Sequence, residues 1–350
     1  MTLSKTRRYR RKKNSPPVSY YVDGIKKGNR AVLAKAITII ESNHPDHFQT
    51  GQQILKEIMP YSGRSVRIGI TGVPGAGKST FIDKFGTELC KMGKKVAVLA
   101  IDPSSVMSQG SILGDKTRME HLSREPNAYI RPSPSGGTLG GVHRKTRESI
   151  LLCEAAGFDV ILVETVGVGQ SETAVRTMVD MFLLLAITGA GDELQGIKKG
   201  IMELTDAIIV TKADGQNKEK ALKTRNEYNQ ILRLLKPVTE GWRTKAYACS
   251  SLTGEGILEI WDVVQQFVET TKKSGVFYER RKKQATDWLQ MSIMERLEQS
   301  FFQNEAVQNT LPDIMQDVRD EKIPVSAAVE QLMGLYLNGK GKSNARANFI

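Results

Sequence analysis

Nine consecutive residues, Gly72-Val73-Pro74-Gly75-Ala76-Gly77-Lys78-Ser79-Thr80, have the types and spacing needed to hold a polyphosphate. They fit G-x-x-x-x-G-K-[ST], in which glycines let successive backbone N–H groups converge on phosphate oxygens at the positive end of a helix. In that arrangement Lys78 reaches the β- and γ-phosphates, and the Ser79 hydroxyl meets a magnesium ion. The bland alternative is a Gly-rich turn that binds nothing. The flanks argue against it: Val66 to Thr71 reads as a buried strand and Phe81 to Met92 as a helix.

A phosphate loop does not choose between adenine and guanine, so the later motifs decide. Thr211-Lys212-Ala213-Asp214 closes the apolar run Ala207–Val210, at the carboxyl end of a strand, where ligands bind in open parallel sheets. A carboxylate at Asp214 accepts from the N1 and N2 donors of guanine, a pair that adenine lacks, and the Lys212 stem can cover the base. Thr211 stands where the guanine motif N-K-x-D has Asn. Ser250-Ser251-Leu252 follows another strand and supplies a second base-side loop. Together these favour GTP.

Oxygen donors for a hard cation are predicted at Ser79, Asp102, Asp115 and Glu164. Glu164-x-x-Gly167 occupies the place of a switch in which the Gly167 amide senses the γ-phosphate. The next residue is Val168, which cannot orient an attacking water. Unaided hydrolysis should therefore be slow unless Gln170, a moving loop or a partner supplies the group. Gly189 to Gly200 reads either as a third mobile loop presenting Asp192, Glu193, Gln195 or Lys198, or as a solvated helix cap.

These residues need a scaffold that ends several strands at one edge. Seven apolar runs alternate with helical stretches: Val66–Thr71, Val96–Ile101, Ala128–Arg131, Val160–Glu164, Phe182–Ile187, Ala207–Val210 and Lys245–Cys249. The expected fold is α/β: a P-loop NTPase with a mostly parallel central sheet flanked by helices, plus N-terminal and C-terminal helical extensions. The expected boundaries are a basic tail at 1–18, a helical extension at 19–62, the nucleotide domain at 63–270 and a helical arm at 271–350. In the last, Arg280 to Phe302 and Ala327 to Leu337 read as amphipathic helices.

At 350 residues and 40% hydrophobic, the chain can bury a large core, and no apolar run approaches the length of a bilayer span. The net charge is +12, of which seven charges lie between Lys5 and Lys13. Such a block reads as a solvated tail, and with only Tyr9 among it neither nucleic acid nor a membrane is an expected partner. Cys90, Cys153 and Cys249 are widely spaced in apolar settings, which points to buried thiols in a reducing compartment. A cytoplasmic location, or the mitochondrial matrix, is expected.

Longer strings carry a family resemblance. Asp102-Pro103-Ser104-Ser105, Gly110 to Met119, Arg131 to Ser135, Gly137 to Gly141, Glu164 to Glu172 and Gly191 to Gly200 resemble the MeaB/ArgK family, which includes the methylmalonic aciduria type A protein. The resemblance covers roughly residues 30 to 270. It implies a homodimeric GTPase that gates adenosylcobalamin loading, and protects or reactivates an adenosylcobalamin-dependent acyl-CoA mutase, typically methylmalonyl-CoA mutase, possibly with its adenosyltransferase. It also implies GTP or GDP with Mg2+, no cobalamin held tightly on this chain, Ser79, Asp102, Asp115 and Glu164 around the magnesium, and Asp192 to Lys198 as a mutase-facing switch. With it go slow hydrolysis, partner stimulation, and catalytic roles for Lys78, Glu164, Gly167, Gln170 and Lys198. Two other classes compete. A nickel-type metallochaperone GTPase should show CxxC or a His-rich tract, absent from a chain with four His and no paired Cys. A transport-associated ATPase or kinase conflicts with Asp214.

Overall fold

The computed structural model describes residues 16–42, 44–102, 118–134, 139–165, 171–188 and 199–347, with backbone alone at 45, 101–102, 133–134, 139–143, 171, 199 and 339–347. Every run predicted as a strand forms one: β1 (Val66–Gly72), β2 (Val96–Asp102), β3 (Ala128–Pro134), β4 (Val160–Thr165), β5 (Met181–Ala186), β6 (Ala207–Val210) and β7 (Lys245–Ala248). They pair in parallel in one sheet of order β3-β2-β4-β1-β5-β6-β7. β3 runs three residues beyond the expected end at Arg131, through Pro132 and Pro134. It is an edge strand, where an absent N–H breaks no ladder bond.

Both faces of the sheet are covered, which is why its strands read as unbroken apolar runs. Ala97, Leu99, Ile161 and Val163 face one core, while Val96, Val98, Val160 and Leu162 face the other. On the first face lie the helices Val18–Lys26, Arg30–Glu41 and Pro45–Ile58, which bury Ile25, Leu33, Ile37, Ile54 and Ile58 completely. Asn29 starts the second of these by accepting from the Ala31 and Val32 amides, at 3.0 and 3.2 Å. Pro45 starts the third, at a position where its missing N–H costs no helical bond. The second face is covered by Lys78–Lys91 and Ile257–Lys273, where Phe85 meets Trp261 at 6.3 Å between ring centroids. At the β7 edge, the Asn229 side chain accepts from Ala246 N and donates to Ala246 O, at 2.9 and 3.1 Å.

The amino ends of the strands are joined by buried ion pairs. Glu154 accepts from Arg67 Nε and Nη2, both at 2.8 Å, from Ser65 Oγ and from the Gly63 amide. Asp180 accepts from Arg281 and from the Arg67 amide. Asp206 accepts from Arg176, Thr239 and the Phe182 amide, with Arg280 at 3.8 Å.

The described residues up to Lys282 form one compact unit and those from Lys283 onward a second. The helix Val276–Phe302 is followed in the second unit by Glu305–Arg319 and Val325–Ala347, whose core holds Val307, Ile314, Ala328, Leu332 and Tyr336. The sequence reading missed Glu305–Arg319, because Pro312 lies inside it. Asn304 caps that helix on the Ala306 and Val307 amides, and the burial of Val307 and Ile314 offsets the lost proline hydrogen bond.

Candidate nucleotide site

β1 delivers the phosphate loop to the centre of the sheet, between β4 and β5. At Gly72 a Cβ would lie 2.4 Å from the Leu185 carbonyl oxygen, so the strand can pass this close only as glycine. Gly77, at φ 78°, turns the chain through the left-handed region into the helix Lys78–Lys91. The first amides of that helix have no intrahelical partner and face the loop.

Lys78 bends back over the loop, and its Nζ donates to the Gly72 carbonyl at 2.8 Å and the Val73 carbonyl at 3.4 Å. Burial lowers its pKa from the ordinary lysine value, with Glu164 and Glu172 opposing. Ser79 Oγ donates to Glu164 Oε1 at 3.0 Å. Glu164 is buried in β4, in register with Ile70 of β1 and Ala100 of β2. These groups line an open cleft of ≈ 700 Å³ with Gly75, Arg118 and Lys212, a volume in the range of small-ligand sites.

The two base-side loops are locked together. Ala213 N donates to Cys249 O at 3.0 Å, and Ser250 Oγ donates to Asp214 Oδ2 at 2.5 Å. Lys212 sits at φ 58°, a strained position for a residue with a Cβ, and its carbonyl accepts from Asn217 Nδ2 at 2.7 Å. Thr188 Oγ1 in turn donates to Asn217 Oδ1 at 2.7 Å. Thr211, the departure from Asn, is buried, and its hydroxyl reaches the Ala76 carbonyl at 2.8 Å and the Ala186 carbonyl at 3.1 Å. It ties the phosphate loop to the ends of β5 and β6. Ser251 is half-buried and Leu252 is 80% exposed.

The structure thus brings Gly72 to Thr80 together with Glu164, and brings Thr211, Lys212 and Asp214 together with Ser250. Asp102 ends β2 in register with Pro134 of β3 by its backbone, and its side chain lies outside the described residues. Asp115, Gly167, Gln170, Asp192, Glu193, Gln195 and Lys198 lie outside the described residues. Sequence reasoning missed Arg118, Glu172, Thr188 and Asn217. Arg118 stood in a motif already quoted, as a cation next to the phosphate side. Asp83 holds its neighbourhood in place, accepting from the Leu122 amide and contacting His121 Nδ1, both at 2.8 Å.

For a metal, the Ser79 hydroxyl beside the Glu164 carboxylate is an all-oxygen donor pair, which fits a hard cation such as Mg2+. Among the described residues no three His, Cys, Asp or Glu side chains gather as a metal site. The thiols do not suit a soft metal either: burial pushes Cys90 up to about 11 and Cys249 up to about 12, and raises Cys153 as well.

A parallel sheet with a phosphate loop after its central strand, and a carboxylate-bearing base loop two strands away, defines a P-loop nucleoside triphosphatase. The family described as "Methylmalonyl Co-A mutase-associated GTPase MeaB" matches residues 33–306, and the chain belongs to that family of GTPases. A Caulobacter vibrioides protein bearing a GTPase name is 50% identical over 309 residues, 88% of this chain and 94% of the relative. The Escherichia coli GTPase ArgK is 44% identical, covering 91% of this chain and 96% of its own. The mouse methylmalonic aciduria type A homolog, mitochondrial, is 44% identical over 89% of this chain and 78% of its own. The crystal structure of a LAO/AO transport system kinase superposes with a TM-score of 0.73 at 38% identity, over 91% of this chain and 96% of that one. No helix among the described residues is long and apolar enough to cross a membrane.

Proposed function

We propose that this GTPase is a nucleotide switch that gates adenosylcobalamin loading of an acyl-CoA mutase, methylmalonyl-CoA mutase foremost, and protects or reactivates it. The reading is carried by the family match across residues 33–306, whose description names that mutase as the associate. The adenosyltransferase that supplies the cofactor is a further proposed partner. Cobalamin itself stays on the mutase.

In this reading GTP lies with its phosphates on the Gly72–Thr80 loop and its base against Asp214. The Lys78 ammonium exchanges two loop carbonyls for phosphate oxygens, a gain because charge-assisted bonds are the stronger ones. Ser79, Asp102, Asp115 and Glu164 would hold Mg2+, which when bound neutralises charge shared by the β- and γ-phosphates. Glu164 then gives up its bond to Ser79, and the segment after it, with Gly167 and Gln170, reads the γ-phosphate. Asp192, Glu193, Gln195 and Lys198 carry that state to the mutase. Val168 leaves the attacking water without an orienting side chain, so hydrolysis alone is slow. The Asp214–Ser250 pairing favours guanine, and with it a GTPase rather than an ATP-dependent transport kinase.

Self-association is proposed through the C-terminal unit, where Leu289, Ile293 and Leu297 are exposed at four-residue spacing. The decisive measurement is phosphate release with and without the purified mutase. Stimulation is expected, and full-speed turnover by the isolated protein would remove the switch. Calorimetry with magnesium is expected to show tight GTP and GDP binding and poor competition by ATP; equal affinities would overturn the base assignment.

A further inference from the structure

The positive charge of this chain is unevenly placed. Residues 218–245 carry eight Lys and Arg against three Glu, residues 1–13 carry seven cations and no acid, and the remainder balances to zero. On the folded body one concentration of positive charge is the helix Lys218–Leu232 and the connection that leads from it into β7. Arg233, Lys236, Arg243 and Lys245 are exposed there, and they make no ion pair among the described residues.

Those cations, with the Glu203 carboxylate beside them, border a cavity that is apolar along one side. This cavity of ≈ 380 Å³ has Met202, Leu232, Leu235, Val238 and Trp242 in its wall, and Leu234 beside it is 87% exposed. An adjoining cleft of ≈ 510 Å³ sets Asn229 and Gln230 next to Arg233, Arg243 and Lys245. The wall is fixed before any ligand arrives. Trp242 Nε1 donates to the Asp206 carbonyl at 2.9 Å, Thr239 Oγ1 to Asp206 Oδ1 at 2.5 Å, and Thr244 Oγ1 to the Thr205 carbonyl at 3.1 Å. A preformed seat lowers the ordering cost of binding.

Three candidate occupants conflict with this chemistry. The N-terminal tail is basic, and so is the same face of a second copy. Nucleic acid prefers bases stacked on exposed aromatic rings, whereas Tyr228 is buried, Trp242 and Tyr247 are half-buried, and the Trp242 indole N–H is already bonded. We propose that this face docks an acidic protein segment with an apolar side chain at its centre, the apolar group entering the cavity and the carboxylates meeting Arg233, Lys236, Arg243 and Lys245. The site lies at the amino ends of the strands, so docking leaves the nucleotide cleft at their carboxyl ends open. A partner held there can stay bound through the whole nucleotide cycle.

The test is fluorescence anisotropy on the full chain with a labelled short peptide of Asp and Glu around a central Leu-Phe pair. Saturable binding is expected, weakening steeply as salt rises from about 0.05 to about 0.5 M. Loss by about 10-fold or more is expected for Arg233→Glu with Lys236→Glu and Arg243→Glu, and a loss of several-fold when Ser replaces the Leu-Phe pair. Basal GTP hydrolysis should be unchanged, because none of the three lines the nucleotide cleft. Should circular dichroism show the triple variant misfolded, Lys236→Gln and Arg243→Gln, each with a loss of about 3-fold, replace it. No binding, equal binding by the variants, equal binding of the Ser peptide, or tighter binding of a single-stranded oligonucleotide would each overturn the proposal.

Discussion

The two rims of the sheet are built on opposite principles. At the carboxyl rim, glycines at Gly72 and Gly77 remove side chains, Lys212 sits in a strained conformation, and Lys78 Nζ donates to two carbonyls of its own loop. At the amino rim, Glu154, Asp180 and Asp206 are saturated by Arg67, Arg176, Arg280 and Arg281 together with backbone amides. One rim keeps polar groups available for exchange; the other commits its buried carboxylates to fixed partners. Binding needs donors whose present partners are weaker than the ligand, and a scaffold needs the reverse.

The largest expected effect falls on the saturated rim. Glu154→Gln should cost about 3–5 kcal/mol of unfolding free energy, since it leaves the Arg67 guanidinium buried without its charge partner, while GTP affinity of the folded protein stays unchanged. Burial pushes the Glu154 carboxyl up, but Arg67, Ser65 and Arg281 outweigh it and hold the group below the ordinary carboxylate range. Its folded pKa is thus the lower one, so its contribution is complete above the ordinary glutamate value and is lost as pH falls through the folded value. Chemical denaturation across that acid window should show a limb that Glu154→Gln lacks; identical limbs would break the contrast.

Next comes the exchanging rim. Lys78→Ala should weaken binding of a non-hydrolysable GTP analogue by at least about 100-fold, roughly 3 kcal/mol, with circular dichroism and melting near wild type. A collapse of the fold would mean that this rim is scaffold too. Asp214→Asn should cost about 2 kcal/mol for GTP while favouring xanthosine triphosphate, because an amide can donate to the 2-carbonyl of xanthine; calorimetry with both nucleotides reads the difference. The smallest effect is expected for Thr211→Val, which keeps the shape and deletes the hydroxyl reaching Ala76 and Ala186. A loss of about 1 kcal/mol in nucleotide affinity, around 5-fold, would place Thr211 as a positioning residue.

The sequence made the exchanging rim legible and hid the saturated one. The phosphate loop, Glu164 and Thr211 to Asp214 are local strings at strand ends, and local strings report their own geometry. Arg67 and Glu154 are 87 residues apart, and Arg281 and Asp180 are 101 apart, so no spacing announces either pair. Thr211 was readable only as a missing Asn, since its hydroxyl contact with Ala76 depends on where β1 and β6 lie in the sheet. The helix Glu305–Arg319 escaped because Pro312 is a local signal against helix that burial of Val307 and Ile314 overrides.

The outermost strands carry one more consequence. Pro132 and Pro134 deprive β3 of amide protons, and the Asn229 carboxamide engages both the N–H and the C=O of Ala246 on β7. A foreign chain seeking to extend the sheet finds its template withdrawn on one flank and already taken at that position on the other, a protection against amyloid-like growth that costs the molecule one amide and two imino acids.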